Sequence, residues 1–279
     1  MKAGFNPTRR NRNIGTTKQG HGLNNRLVIP DICRGERRWA EQLGPHRHIQ
    51  RVIAGRSVVF IVEETHSGCV HACTVDDVRH VLEHIPRDDW DGLDTFVFRQ
   101  STRKQRLLRP AWGRMFYAAD FGLPGRKPLR SGPAVILEAV NCGAKLEWGS
   151  GLDPDDQAEL ARLKKDGHHV SRKGRRHLIA MTPSAVRATQ LYRTLLHEVG
   201  HWVDYLEKVE RPADAGVGEY GALSEAYFKR PGHEREAFAH RYADTMRERL
   251  RRFGIVPFEP IIAPEPGVWS SAPGGDPNS

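Results

Sequence analysis

Residues 182–206 constrain this chain most. Thr182 and Pro183 form a helix-start pair, a hydroxyl N-cap followed by proline at the first helical position. Beyond them Leu191, Leu195, Val199, Trp202 and Leu206 recur at helical spacing, an apolar stripe that seats the helix in a core. Thr194, His197, His201 and Asp204 make a separate polar stripe on the same helix. A buried helix with such a seam needs partners for it, because polar groups left unpaired away from water are costly. Gly200 occupies a helix-interior position where glycine costs about 1 kcal/mol relative to alanine. Its expected use is to let another backbone approach closely.

The seam reads His197-Glu198-Val199-Gly200-His201, or H-E-x-x-H. Positions four apart stack on one helix face, so the two imidazoles can grip one zinc ion while the glutamate handles a proton. Zinc hydrolases usually take three protein ligands and leave a position for water. Glu207 stands where a short-loop third ligand would fall, but Asp204 replaces the glycine on which such a loop turns. The helix is therefore expected to run on, leaving Glu207 about 9 Å along the axis from His201 and off the histidine face. A second helix is the better source. Pro231-Gly232 signals its start, the pattern runs from His233 to Phe253, and Gly254 is its C-cap. Glu236, Ala239, His240 and Ala243 share one face, whose alanines allow close packing against the first helix. Glu236 is the expected third ligand and Glu234 the alternative. His240, one turn on, is expected to support the ligands from behind.

These residues resemble the gluzincin metallopeptidases, which pair H-E-x-x-H on one helix with a glutamate on the next. Glu236-Ala-Phe-Ala is similar to the E-x-F-A signature of the compact gluzincins, which include the catalytic domain of anthrax lethal factor. His197-Glu-Val-Gly-His-Trp-Val-Asp204 is similar to their active-site helix. The resemblance covers about residues 57–253, and its specific part is confined to 183–253. At His240 such relatives often carry an acidic residue. The resemblance implies a zincin-like fold, Zn²⁺ held by His197, His201 and Glu236, and peptide-bond hydrolysis by a metal-activated water with Glu198 as general base. Asp204, one turn beyond His201, is expected to orient a ligand imidazole. Compact gluzincins take their oxyanion donor from a Tyr or His before the Glu helix. Tyr220, Tyr227 and His233 are the candidates here, with Tyr227 favoured.

The remaining pattern is α+β: a small twisted mixed sheet beside the active-site helix and the Glu-bearing helix, within a domain at 52–257. Strands are expected at 57–64, 95–99, 112–119 and 132–140, with 69–74 as the hairpin return of the first. Helices are expected at 76–85 and, capped by Asp153, at 154–165. Residues 112–119 and 132–140 are the candidate edges along which an extended protein or peptide substrate would add a strand. Cys69, His71 and Cys73 fall on one side of a strand, but lack the knuckle turn of structural zinc sites, so buried packing is expected.

Residues 1–51 hold eleven Lys and Arg against three Asp and Glu, nearly the whole net charge of +9. This basic, partly disordered arm is a candidate contact for nucleic acid or an acidic partner, and equally a solubilising tail. Residues 258–279, rich in Pro, Gly and Ser, read as a disordered tail. No segment approaches the roughly 20 apolar residues of a membrane span. Cys33, Cys69, Cys73 and Cys142 are irregularly spaced and no secretion signal is evident, so a cytoplasmic protein is expected. The alternative function is a basic, nucleic-acid-associated regulator whose metallopeptidase-like domain binds zinc or cleaves a regulatory partner.

Overall fold

A charged hairpin opens the ordered body. The computed structural model describes residues 41–66, 68–102, 111–122 and 127–262. In it β1 (His46–Ile53) turns back into β2 (Arg56–Glu63) through Ala54 and Gly55. Both turn residues have positive φ, +48° and +78°, the backbone that matches the twist of a tight hairpin. Then come β3 (Cys69–Val70), α1 (Val75–His84), β4 (Thr95–Arg99), β5 (Gly113–Phe121) and β6 (Arg130–Glu138). Five of these strands form one mixed sheet in the order β1-β2-β4-β6-β5. β2, β4 and β6 run parallel, while β1 and β5 pair antiparallel at the two edges. The fold is thus α+β around a mixed sheet, as the residue pattern implied.

Alternation divides the sheet's side chains between two cores. Val58, Phe60, Phe96, Phe98, Val135 and Leu137 face the larger one, and Ile61, Val97, Ala134 and Ile136 face a smaller one with Phe121. All five residues of β4 are buried, as expected for a central strand covered on both faces. α1 closes the larger core with Val78, Val81 and Leu82. It starts at a capping box, in which Thr74 Oγ1 accepts from the Asp77 amide at 2.9 Å and the Asp77 carboxylate accepts from the Thr74 amide.

After β7 (Val140–Asn141), a three-stranded sheet of β8 (Lys145–Gly149), β9 (Val170–Lys173) and β10 (Arg176–Ala180) packs with α2 (Pro154–Lys165). The helical half follows: α3 (Pro183–Thr189), α4 (Leu195–Tyr205), α5 (Arg211–Asp214), α6 (Tyr220–Lys229) and α7 (Gly232–Arg252). Among the described residues no helix is long and apolar enough to cross a membrane.

Two expectations change and one stands. Residues 69–74 do not return along β2; only Cys69 and Val70 are strand, paired with β7, because Thr74 must serve as the α1 cap. Cys69 and Cys73 are buried packing residues, and His71 Nε2 lies 2.8 Å from the Glu63 carbonyl. The arm read at 1–51 overlaps β1: residues from His46 pair with β2, although among them only the strand's last residue, Ile53, is buried. Residues 1–40, including Cys33, and residues 263–279 of the tail lie outside the described residues.

The last contact that positions the site is between α4 and α7. A Cβ on Gly200 would stand 3.1 Å from the Ala239 Cα, 3.1 Å from its carbonyl oxygen and 3.1 Å from the Tyr242 Cβ. The glycine is there for contact, as expected. Helix propensity alone would make Gly200→Ala stabilising by about 1 kcal/mol, whereas overpacking costs about 1–3 kcal/mol. We therefore expect Gly200→Ala to lower the thermal unfolding midpoint. A raised midpoint would mean that the two helices are not held this close.

Candidate metal centre

Thr182 Oγ1 accepts from the Ala185 amide and starts a helical run that extends from Pro183 to Asp214. Two π turns, Gln190–Thr194 and Leu206–Glu210, bracket α4. Each adds a residue to the turn and re-aims the faces that follow, a device frequent at functional sites. The first π turn also anchors the run to the sheet. The buried Gln190 amide donates to the Trp112 carbonyl at 3.1 Å and the Glu138 carbonyl at 2.7 Å. β5 crosses here with a glycine, since a Cβ on Gly113 would lie 2.6 Å from the Ile136 carbonyl oxygen and 2.7 Å from Thr194 Cγ2.

The five residues of the apolar stripe, from Leu191 to Leu206, are buried. Opposite β5, α4 presents His197 and His201, their rings edge to face with centroids 4.6 Å apart. Glu236 comes from α7. Its Oε2 lies 3.2 Å from His197 Nε2 and its Oε1 3.5 Å from His201 Nε2. One donor atom from each residue falls within 4.8 Å of the others, the group of this kind found among the described residues. Two imidazole nitrogens and one carboxylate oxygen form a donor set that could hold a divalent metal, and that suits zinc with a fourth position open. His240 packs against His197, with ring centroids 4.5 Å apart.

Glu198 is buried beside the pair, and the Met115 backbone of β5 hydrogen-bonds its carboxylate. Burial raises its pKa, outweighing the opposing pull of His197 and His201. Glu236 behaves oppositely: hydrogen bonds to His197 and His201 hold its carboxyl far below the usual carboxylate range. For His201, burial would depress the imidazole, but the Glu236 hydrogen bond and the Glu198 and Glu236 charges raise it. A cleft of about 350 Å³ joins these groups to Gly113, Met115 and Tyr117 on one face of β5. Among the described residues β5 is an edge strand of the sheet and β6 is interior, so of the two expected edge segments only 112–119 lies on an edge.

No known family, curated protein or solved structure matches the chain. Its chemistry has to come from these side chains.

Several expected supporting residues stand elsewhere. Tyr227 is buried and does not line the cleft; its hydroxyl lies 3.2 Å from that of Tyr117, which does. Tyr117 is therefore the hydroxyl at the site, and burial pushes its pKa up to about 12, which keeps it protonated as a donor. Tyr220 is half exposed and bonded to Tyr205 at 2.9 Å, and His233 is exposed on the first turn of α7. Asp204 does not orient an imidazole. It accepts from Lys208 at 2.6 Å and Arg230 at 2.9 Å, and the His201 Nδ1 is buried without a partner among the described residues. Burial would raise the Asp204 pKa, but these two cations lower it. Glu234 pairs with Arg230 at 3.4 Å, and Glu207 is exposed on the second π turn. Tyr117 and Arg235 line the cleft without having been singled out in the sequence: alternation with Gly113 and Met115 was the only signal of Tyr117, and Arg235 is hidden in a charged helix start.

Loss of a residue that merely supports a ligand costs about 10–100-fold in metal affinity. Removing the ligand oxygen in Glu236→Ala should weaken zinc binding by more than that in a competitive chelator titration, while Glu234→Ala leaves it near wild type. The reverse order would reassign the third ligand.

Proposed function

We propose that this chain is a zinc-dependent metallopeptidase of zincin-like fold and gluzincin type. The observation that carries the reading is the meeting of His197, His201 and Glu236, from two helices, beside buried Glu198 and a sheet edge. Zinc, when bound, supplies a Lewis acid that polarises a carbonyl and lowers the pKa of water. His197, His201 and Glu236 would hold it.

The rest is done by side chains and backbone. An extended stretch of a protein or peptide substrate would lie along β5, adding a strand through main-chain hydrogen bonds and bringing a peptide carbonyl over the histidines. Glu198 takes a proton from the attacking water and returns it to the leaving amine. Burial raises its pKa, which makes the carboxylate a stronger base toward that water. Tyr117, held protonated, donates to the carbonyl oxygen as negative charge develops there. Tyr227 orients that phenol from behind through the hydroxyl–hydroxyl contact. His240 braces the His197 ring from the far side.

A cytoplasmic setting belongs to the same proposal, supported by Cys69, Cys73 and Cys142, which form no disulfide among the described residues. The regulator alternative rests on the basic residues 1–51, of which 41–51 are described, and no observation among the described residues favours it.

The test is Glu198→Gln, which keeps the shape of the side chain and removes its basicity. General-base removal costs on the order of 10²–10⁴ in rate. We expect kcat on a peptide library to fall by that factor while zinc stoichiometry by atomic emission stays at the wild-type value. Zinc-bound wild-type protein that cleaves nothing, or an unchanged rate in Glu198→Gln, would overturn the mechanism.

A further inference from the structure

Two arginines line the cleft, and they are not equivalent. Arg114 faces Glu138 at 3.6 Å. Arg235 forms no ion pair with a carboxylate among the described residues, and its Nε is buried without a hydrogen-bond partner. Glu198, in the same cleft, hydrogen-bonds the Met115 backbone, and three further carboxylates are committed elsewhere. Asp204 holds Lys208 and Arg230, Glu234 pairs with Arg230, and Glu236 spans the two imidazoles.

What fixes Arg235 is aromatic. Its guanidinium lies 5.6 Å from the Tyr227 ring centroid and 5.5 Å from that of Phe228. Stacking of this kind orients the planar fork but leaves its positive charge unneutralised. The cleft thus carries a partly buried cation that has no paired carboxylate among the described residues. A pre-oriented fork of five donors matches a carboxylate, which it can bind bidentately.

We propose that Arg235 is a specificity-determining residue that selects substrates carrying a carboxylate close to the bond to be cut. The carboxylate can be an Asp or Glu side chain or the peptide's own C-terminus. The inference rests on the peptidase reading, and adds the substrate class to it.

The test measures binding apart from turnover. Full-length Glu198→Gln protein with zinc added is titrated with fluorescent peptides, and binding is read by anisotropy. One peptide set carries Glu at each successive position with an amidated C-terminus, a second carries Gln at the same positions, and a third carries Gln with a free C-terminus. Charge-assisted hydrogen bonds should favour the Glu peptide over the Gln peptide at one position by roughly tenfold to a hundredfold. Preference confined to the free C-terminus would identify that end as the carboxylate's source. Adding Arg235→Gln should bring the ratio to about one, and Arg235→Lys should keep it above one. Circular dichroism of both variants reports folding, and the lysine variant carries the test if the glutamine variant does not fold. Equal binding of all three sets, or an unchanged ratio in Arg235→Gln, would overturn the proposal. Acid-selective binding without cleavage by the wild type would instead remove the peptidase reading and leave the carboxylate site. Cleavage without acid preference would do the opposite.

Discussion

The close approach of α4 to α7 at Gly200 is the contact on which the site depends. A helix that buries its apolar stripe in the main core cannot also bury a His–His seam unless something meets the seam. α7 does so with a carboxylate, and Glu236 reaches both imidazoles because Gly200 and Ala239 let the backbones touch. A side chain larger than hydrogen at 200 would push against Ala239 and Tyr242, and the carboxylate would move with them. The π turns at either end of α4 and the Gln190 anchor to Trp112 and Glu138 fix the same helix against β5. The sheet edge and the three donors are thereby held in one frame.

Charge is divided by task. Asp77 and Arg187 form a buried pair that ties α1 to α3, with contacts of 2.9 Å and 3.0 Å. Asp166, at the end of α2, accepts from Thr189, Arg193 and Arg247, and so draws α2, the α3 run and α7 together. Asp204 does the equivalent below the site with Lys208 and Arg230. Breaking such a buried pair by removing one partner leaves a charge uncompensated and is strongly destabilising. Glu198 and Arg235 are the exceptions. One is a buried carboxylate with a raised pKa and the other a stacked cation with no carboxylate partner among the described residues, and both face the cleft. Functional sites are where such unbalanced groups concentrate.

Much of this was legible in the sequence, for reasons that differ by residue. His197, Glu198 and His201 are four-residue geometry, and Thr182, Asp153 and Pro231-Gly232 are local punctuation; neither needs tertiary information. Gly200 was legible because glycine inside an apolar helix has no local reason to be there. Glu236 followed from the small residues around it. The supporting groups were not legible, because their roles are set by competition. Asp204 is one turn from His201, but two cations reached it first. Tyr227 points inward behind Tyr117, which comes from a strand more than a hundred residues earlier in the chain. β1 escaped because its charged residues cover a sheet edge and carry almost no hydrophobic signal. The short strands β8 to β10 pack on a small core of their own, with Leu160, Leu163 and Ile179 at its centre.

Zinc K-edge absorption on the protein purified without chelator tests the central claim most directly. The account predicts one zinc per chain with nitrogen and oxygen neighbours only, two imidazoles at about 2.0–2.1 Å and carboxylate oxygen at about 2.0–2.2 Å. Protein that carries no zinc and takes up none, or a spectrum with sulfur at about 2.3 Å, would contradict it.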